Sequence, residues 1–176
     1  LRNMTDKQLL AASEYAKRIH LYDRVVNTAD RTKEEHDFSL RYPTPFRDEL
    51  SPIARQIDLN LAWAYGLIRQ ESRFIMDAKS VVGASGLMQV MPATAKWTAK
   101  KIGLTNFQLP QLNEHETNVA IGTGYLKLVL DDFDGSMPLA GAGTLLFLYF
   151  PCQLFLLTWF RGLGQTISTS GNLTPP

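Results

Sequence analysis

The feature that most constrains this fold is the spacing of its apolar residues, which recur every three or four positions in each patterned stretch before Met137. Apolar residues at this spacing form one face of an α-helix, whereas a half-buried strand needs strict alternation. No stretch before Met137 alternates in that way. The spacing predicts helices over residues 5–22, 46–57, 61–74, 92–101 and 113–134. Thr5 is the predicted cap of the first helix, and Asp58 or Asn60 caps the third. We therefore expect a mainly α fold.

Two stretches interrupt the helical pattern. The sequence YPTP at 42–45 cannot continue a helix, because each proline lacks an amide hydrogen and restricts the residue before it, so we place a boundary there. The glycine-rich stretch 82–86 predicts an irregular segment before the helix that starts at Pro92. The charged run 30–35 alternates in sign, which is more typical of a solvated helical face than of a binding patch.

The composition excludes several classes of function. With 45% hydrophobic and 20% charged residues the chain is typical of a folded globular protein, and its net charge of +1 gives no electrostatic basis for binding nucleic acid. Cys152 is the only cysteine, and His20, His36 and His115 are too scattered in sequence for a zinc site. We expect no internal disulfide, no metal and no other cofactor. Because the chain begins at Leu1 without an export signal, we interpret it as a piece of a longer protein.

One glutamate, Glu71, lies within the apolar pattern. If its segment is helical, the positions three and four residues away are Leu67, Ile68, Phe74 and Ile75, so no basic residue is placed to pair with it along the helix. A carboxyl group among apolar side chains is harder to ionise, and a group that stays protonated near neutral pH can act as a general acid. The pattern predicts a catalytic role for Glu71.

Two motifs carry a resemblance to a known family. The first is YGLIRQESRF at 65–74, and the second is GLMQVMP at 86–92. They resemble the catalytic-glutamate segment and the second motif of the soluble lytic murein transglycosylases, which cleave the glycan strands of bacterial peptidoglycan. The sequences YDR at 22–24 and LRYPTPF at 40–46 are similar to the end of the helical superhelix that precedes the catalytic domain in the large periplasmic members. Two motifs with matching flanks are far more specific than an isolated Glu-Ser pair.

The resemblance implies a lysozyme-like transglycosylase domain preceded by a few helices of an α-superhelical domain. It assigns Glu71 the role of the single catalytic acid and base. In the family, the substrate's N-acetyl group replaces a second carboxylate, and attack by the sugar's own C6 hydroxyl gives a 1,6-anhydro end. Asp58 and Asp77, the nearest acidic candidates for a second carboxylate, lie outside the two motifs.

The resemblance also implies substrate contacts for four residues. Gln89 and Met91 match positions that contact the sugar in the family, and Met88 and Ser72 match weaker candidates for supporting the site. Each has a structural alternative. The two methionines can be core residues, and Gln89 can be a buried amide that satisfies the loop backbone. For Tyr125 we favour packing over sugar stacking.

The chain departs from the family after Ala140. Where the family has Ala-Tyr-Asn-Ala-Gly, this chain has LAGAGT at 139–144, and the almost uncharged run 139–160 follows. We hypothesise that the sequence from about Gly141 comes from a shifted reading frame or a disrupted gene. The run is also long enough for a membrane helix, although Pro151 and Gln153 lie at its centre. The expected domains are thus the end of a superhelix (1–45), an incomplete catalytic domain (46–140) and an aberrant apolar tail (141–176).

The sequence thus predicts a lytic transglycosylase with activity impaired by loss of the third motif. A noncatalytic peptidoglycan-binding remnant and a membrane-anchored interaction protein are the alternatives. We expect a monomer whose partners are peptidoglycan glycan strands. Membrane association could arise only through residues 139–160. The family resemblance implies a periplasmic location.

Overall fold

The helical pattern is realised as eight α-helices and one short 3₁₀-helix in the computed structural model, which describes residues 3–149 and the side chains of residues 3–144. In chain order these are α1 (Asp6–Arg18), α2 (Tyr22–Ala29), α3 (Phe38–Arg41), α4 (Arg47–Gln56), α5 (Leu61–Glu71), α6 (Pro92–Lys101), the 3₁₀-helix (Leu109–Asn113), α7 (His115–Asp132) and α8 (Met137–Tyr149). The described residues form no strand, only two isolated bridges that join Ser85 to Lys79 and to Val90. The mainly α fold class is confirmed.

The helix predicted over residues 5–22 ends early, at Arg18, and a second helix begins at Tyr22. Thr5 caps α1 as predicted: its Oγ1 accepts a hydrogen bond from the backbone N–H of Gln8, and Gln8 Oε1 accepts one from the N–H of Thr5. The helix ends at Arg18 because His20 adopts a left-handed backbone conformation, with φ of 59°, that an α-helix cannot continue. The first three helices share a small apolar core of Ala16, Val25, Ala29 and Leu40.

The charged run at 30–35 is a mostly exposed loop, and its prediction as a helical face is wrong. The carboxylate of Asp6 accepts hydrogen bonds from the backbone N–H groups of Lys33, Glu34 and Glu35 at 3.0, 2.7 and 3.0 Å. In an α-helix these amides would bond to carbonyl groups four residues earlier, so the contact with Asp6 replaces the helical pattern. The hydrogen bonds from Glu35 and Glu34 also lower the pKa of Asp6.

The main apolar core surrounds α5. Asn60 caps this helix, because its Oδ1 accepts a hydrogen bond from the backbone N–H of Trp63 at 3.0 Å. Near the middle of α5, the hydroxyl group of Tyr65 donates to the carbonyl oxygen of Pro45 at 2.7 Å and so ties the helix to the YPTP segment. The core draws residues from α2, α4, α5, α6, α7 and the loop before α6, among them Val26, Leu50, Ala64, Ile68, Leu87, Ala95, Ile121 and Leu126.

Asn118 of α7 holds the loop that contains the second motif. Its Oδ1 accepts from the backbone N–H of Met88 at 3.0 Å, and its Nδ2 donates to the carbonyl oxygens of Ser85 and Leu112 at 2.9 and 3.0 Å. Gly86 has φ of 78°, and a Cβ atom there would lie 2.2 Å from Nδ2 of Asn118. Glycine is therefore required at this position by both its backbone conformation and the close approach of Asn118.

The last described helix, α8, packs on the end of α7. Ala140 is fully buried, and a Cβ atom at Gly143 would lie 3.1 Å from the ring of Phe133, so the small residues at 140–143 allow a close approach. No helix within residues 3–149 combines the length and the apolar character needed to cross a membrane. The second half of the apolar run predicted at 139–160 lies outside the described residues.

We expect Asn118→Ala to lower the free energy of unfolding by about 3 kcal/mol, because it leaves the backbone N–H of Met88 and the carbonyl oxygen of Leu112, both buried, without partners. The matched control is Asn106→Ala in an exposed turn, for which we expect a change within about 0.5 kcal/mol. Urea unfolding followed by circular dichroism measures both. Equal stabilities of the two variants would contradict this role for Asn118.

Candidate active site

Glu71 is the last residue of α5. The helix predicted to reach Phe74 ends three residues earlier, because Arg73 and Phe74 adopt left-handed backbone conformations with φ of 51° and 68°. The Ser72 side chain supports this turn, since its Oγ accepts a hydrogen bond from the backbone N–H of Phe74 at 3.1 Å. The prediction that Phe74 and Ile75 neighbour Glu71 along the helix is therefore wrong. Phe74 is buried but lies beyond the helix, and Ile75 is 40% exposed.

The Glu71 carboxyl group lies in an apolar environment. Its Oε1 atom is buried and has no hydrogen-bond partner among the described residues. Burial raises the pKa of Glu71 from 4.5 to about 7, because the charged form loses its hydration and gains no compensating contact. A carboxyl group with this pKa is protonated in about half of the molecules at neutral pH, so it can donate a proton and later accept one.

A pocket lies beside the second motif. It is narrow, with about 20 Å³ of space that a water-sized molecule can occupy, and its walls come from α5, the second motif, α6, α7 and α8. The lining residues are Leu67, Met88, Gln89, Val90, Met91, Thr94, Gly122, Tyr125 and Thr144. The structure thus brings together three of the four predicted substrate contacts, together with Leu67, which lies one helical turn before Glu71. Glu71 and Ser72 are not among the residues that line this pocket.

Contacts within the protein engage the predicted substrate-binding side chains. Gln89 Nε2 donates to the carbonyl oxygens of Ala78 and Gly86 at 3.0 and 2.8 Å, which agrees with the alternative of a buried amide that satisfies the loop. Met88 is 5% exposed and packs on Gly122, where a Cβ atom would lie 2.4 Å from its sulfur. Met91 is half-buried and precedes α6, and Ser72 is buried.

The sequence does not predict two polar residues of this region, Asn118 and Thr144. Tyr125, for which packing is favoured over sugar stacking, also lines the pocket. The ring of Tyr125 does pack, edge-on, against Trp97, and burial raises its pKa. A signal for Asn118 was present, because its spacing of three and four residues from Ile121 and Gly122 places it on the buried stripe of α7.

The two acidic candidates for a second carboxylate, Asp58 and Asp77, are both exposed. Neither lines the pocket beside the second motif. Among the described residues, no cluster of three or more His, Cys, Asp or Glu side chains could hold a metal ion.

Comparisons with known proteins agree with this geometry. The family model described as the transglycosylase SLT domain matches residues 53–143. The soluble lytic murein transglycosylase of Salmonella typhimurium is 36% identical over 142 residues, which cover 80% of this chain and 22% of that protein. The chain thus spans about a fifth of the length of this curated relative.

Two solved structures are similar to the structure of this chain. An inactive mutant of the lytic transglycosylase Slt from Pseudomonas aeruginosa superimposes with a TM-score of 0.73 at 33% identity, covering 81% of this chain and 23% of that one. The 70 kDa soluble lytic transglycosylase of Escherichia coli gives a TM-score of 0.73 at 29% identity, with the same coverage of 81% and 23%. The lysozyme-like transglycosylase fold is confirmed.

The raised pKa of Glu71 predicts how stability depends on pH. Between about pH 4.5 and 7 the carboxyl group is ionised in the unfolded chain and protonated in the folded chain, so rising pH favours unfolding. Glu71→Gln lacks this group. We therefore expect its free energy of unfolding, relative to that of the wild type, to rise by about 2 kcal/mol over this interval and then to stay constant, less than the full shift gives because Glu71 is only half-buried.

Chemical denaturation at pH values from 4 to 8 measures this difference. Glu116→Gln, at an exposed position of α7, is the matched control, and its difference from the wild type should stay within about 0.5 kcal/mol. If the curves of Glu71→Gln and the wild type run parallel across the whole range, Glu71 has no raised pKa.

Proposed function

Because this chain belongs to the transglycosylase SLT domain family, we propose that it cleaves the β-1,4 bond between N-acetylmuramic acid and N-acetylglucosamine in peptidoglycan. The proposed reaction is an intramolecular transglycosylation that leaves a 1,6-anhydro end on the muramic acid. The observation that carries the proposal is the buried, unpartnered carboxyl group of Glu71 with its pKa raised to about 7.

In the first step Glu71 acts as the general acid. Its proton passes to the glycosidic oxygen, the bond from that oxygen to C1 of the muramic acid breaks, and the N-acetylglucosamine leaves as an alcohol. The positive charge that develops at C1 needs stabilisation, and the exposed positions of Asp58 and Asp77 support a mechanism without a second carboxylate. The N-acetyl group of the muramic acid itself fills that role.

In the second step Glu71, now ionised, acts as the base. It takes the proton from the C6 hydroxyl group of the same sugar while the C6 oxygen forms a bond to C1. The carboxyl group regains its proton and no water is consumed, so one residue completes the cycle. The apolar surroundings of Glu71 suit this chemistry, since a group with a pKa near neutrality both donates and accepts protons readily.

The pocket beside the second motif is the proposed place for sugar contact. Met91 is its half-buried apolar element, and Gln89 contributes polar atoms at the turn of the loop. We assign Met88 and Ser72 supporting roles, because both side chains are buried against the protein. Residues 46–140 then form the catalytic domain, and residues 1–45 form the end of the preceding superhelix. The proposed substrate implies a periplasmic location.

A second candidate function is peptidoglycan binding without turnover. It is favoured by the sequence LAGAGT at 139–144, which supplies Thr144 to the pocket wall and lacks the Tyr-Asn pair of the family pattern. Binding would then persist while catalysis is lost. The two functions differ in whether purified peptidoglycan yields 1,6-anhydromuropeptides.

We expect the wild-type chain to release 1,6-anhydromuropeptides from purified peptidoglycan, and Glu71→Gln to lose at least about 1,000-fold in rate, because one group serves as both acid and base. The exposed glutamate variant Glu116→Gln should retain the wild-type rate. Mass spectrometry of the soluble products measures both. Product from Glu71→Gln at the wild-type rate would exclude Glu71 as the catalytic group. Binding without product from the wild type would support the second candidate function.

The rate should also depend on pH in a defined direction. The free enzyme must carry a protonated Glu71 to begin the reaction, so kcat/KM for a soluble peptidoglycan fragment should fall tenfold per pH unit above about 7. Initial rates between pH 3.5 and 9 test this. A decline that begins near pH 4.5 would show that the pKa of Glu71 is not raised in the free enzyme.

A further inference from the structure

Arg69 lies two residues before Glu71 and therefore on nearly the opposite side of α5, about 200° around the helix axis. Its guanidinium group contacts the N-terminal part of the chain. Nη2 lies 2.7 and 2.8 Å from the two carboxylate oxygens of Asp30, and Nε donates to the carbonyl oxygen of Arg41 at 2.8 Å. The guanidinium carbon also lies 4.9 Å from the centre of the Tyr42 ring.

The N-terminal segment that Arg69 contacts is held in place by hydrogen bonds of its own. Arg41 donates from Nη2 to the carbonyl oxygen and the hydroxyl group of Thr32 at 2.8 and 3.1 Å, and from Nε to the carbonyl oxygen of Ala29 at 3.3 Å. These contacts fix α3 to the end of α2. The side chain of Arg69 is only 20% exposed, so its pair with Asp30 is shielded more than a surface ion pair.

The position of Glu71 makes it sensitive to this tether. The last carbonyl groups of a helix lack partners within the helix, and terminal turns fray when nothing outside holds them. Glu71 is the final residue of α5, and the backbone changes to left-handed conformations at Arg73 and Phe74. Fraying of this turn would expose the carboxyl group to water.

We propose that Arg69 is a positioning residue, which ties the last turn of α5 to Asp30 and Arg41 and thereby holds the Glu71 carboxyl group in its buried place. The N-terminal helices thus support the acid of the catalytic domain. The catalytic part of this inference rests on the proposed function, whereas the structural part does not.

The variant Arg69→Gln distinguishes a positioning role of Arg69 from a purely electrostatic effect of its charge on the pKa of Glu71. Loss of a nearby positive charge would raise the pKa of Glu71, because a cation favours the ionised carboxylate. Loss of the tether exposes the carboxyl group and lowers its pKa from about 7 toward 4.5. We expect a fall of at least about one unit in Arg69→Gln, and a fall also in the milder variant Asp30→Asn, which keeps the size of the side chain.

The experiment is an NMR titration of the Glu71 side-chain carboxyl carbon, assigned by its absence in Glu71→Gln. It is combined with initial rates on a soluble peptidoglycan fragment at limiting and saturating concentrations. We expect kcat to fall at least about tenfold in both variants while KM changes less than about threefold. The control is Asp131→Asn, which removes the exposed ion pair with Lys127 on α7 and should change neither quantity.

An unchanged or raised pKa of Glu71 in Arg69→Gln, in a sample that circular dichroism shows to be folded, would overturn the proposal. A fall in Asp30→Asn alone would not rescue it, because loss of the Asp30 charge lowers this pKa by electrostatics. The titration does not require turnover. If the wild-type chain releases no product, the proposed function fails separately, and the pKa values of the variants still decide whether Arg69 positions Glu71.

Discussion

The burial of an unpaired carboxyl group at the end of α5 is the constraint on which this site depends. Such a group costs free energy when ionised, so the fold has to supply the apolar packing that keeps Glu71 neutral. Ala64 and Ile68, both fully buried, hold the same helix in the main core. At the end of the helix, hydrogen bonds of Arg69 and Ser72 take the place of apolar packing. The burial that favours the protonated form of Glu71 therefore also makes the last turn of α5 less stable.

The second motif owes its position to α7 and not to its own sequence. The Asn118 amide satisfies the backbone of three separate segments, the loop at Ser85, the motif at Met88 and the 3₁₀-helix at Leu112. Gly86 admits this amide because it has no side chain, and Gly122 likewise admits Met88. Close approach at two glycines thus sets the distance between the motif and the helix beneath it. Two residues at this contact, Met88 and Gly122, also line the pocket.

Local rules predicted the parts of the fold that local chemistry determines. Capping by Thr5 and Asn60 and initiation at Pro92 follow from side chains next to the backbone groups that they satisfy or replace. The ends of α1 and α5 were missed, because they depend on left-handed backbone conformations at His20, Arg73 and Phe74 that no local sequence pattern indicates. The pair of Arg69 with Asp30 spans 39 residues, and the contact of Asp6 with Glu35 spans 29. Contacts over such separations arise only after the helices have packed.

The end of the described chain forms a pocket wall with few free polar groups. The sequence LAGAGT occupies 139–144, the family match continues to residue 143, and α8 packs closely on α7. Thr144 lines the pocket, but its hydroxyl group donates to the carbonyl oxygen of Ala140 at 2.8 Å within its own helix. The hydroxyl hydrogen is therefore already used within α8, and only the lone pairs of this oxygen remain for a molecule in the pocket. Under the proposed function, Thr144 thus contributes little to orienting a glycan against Glu71.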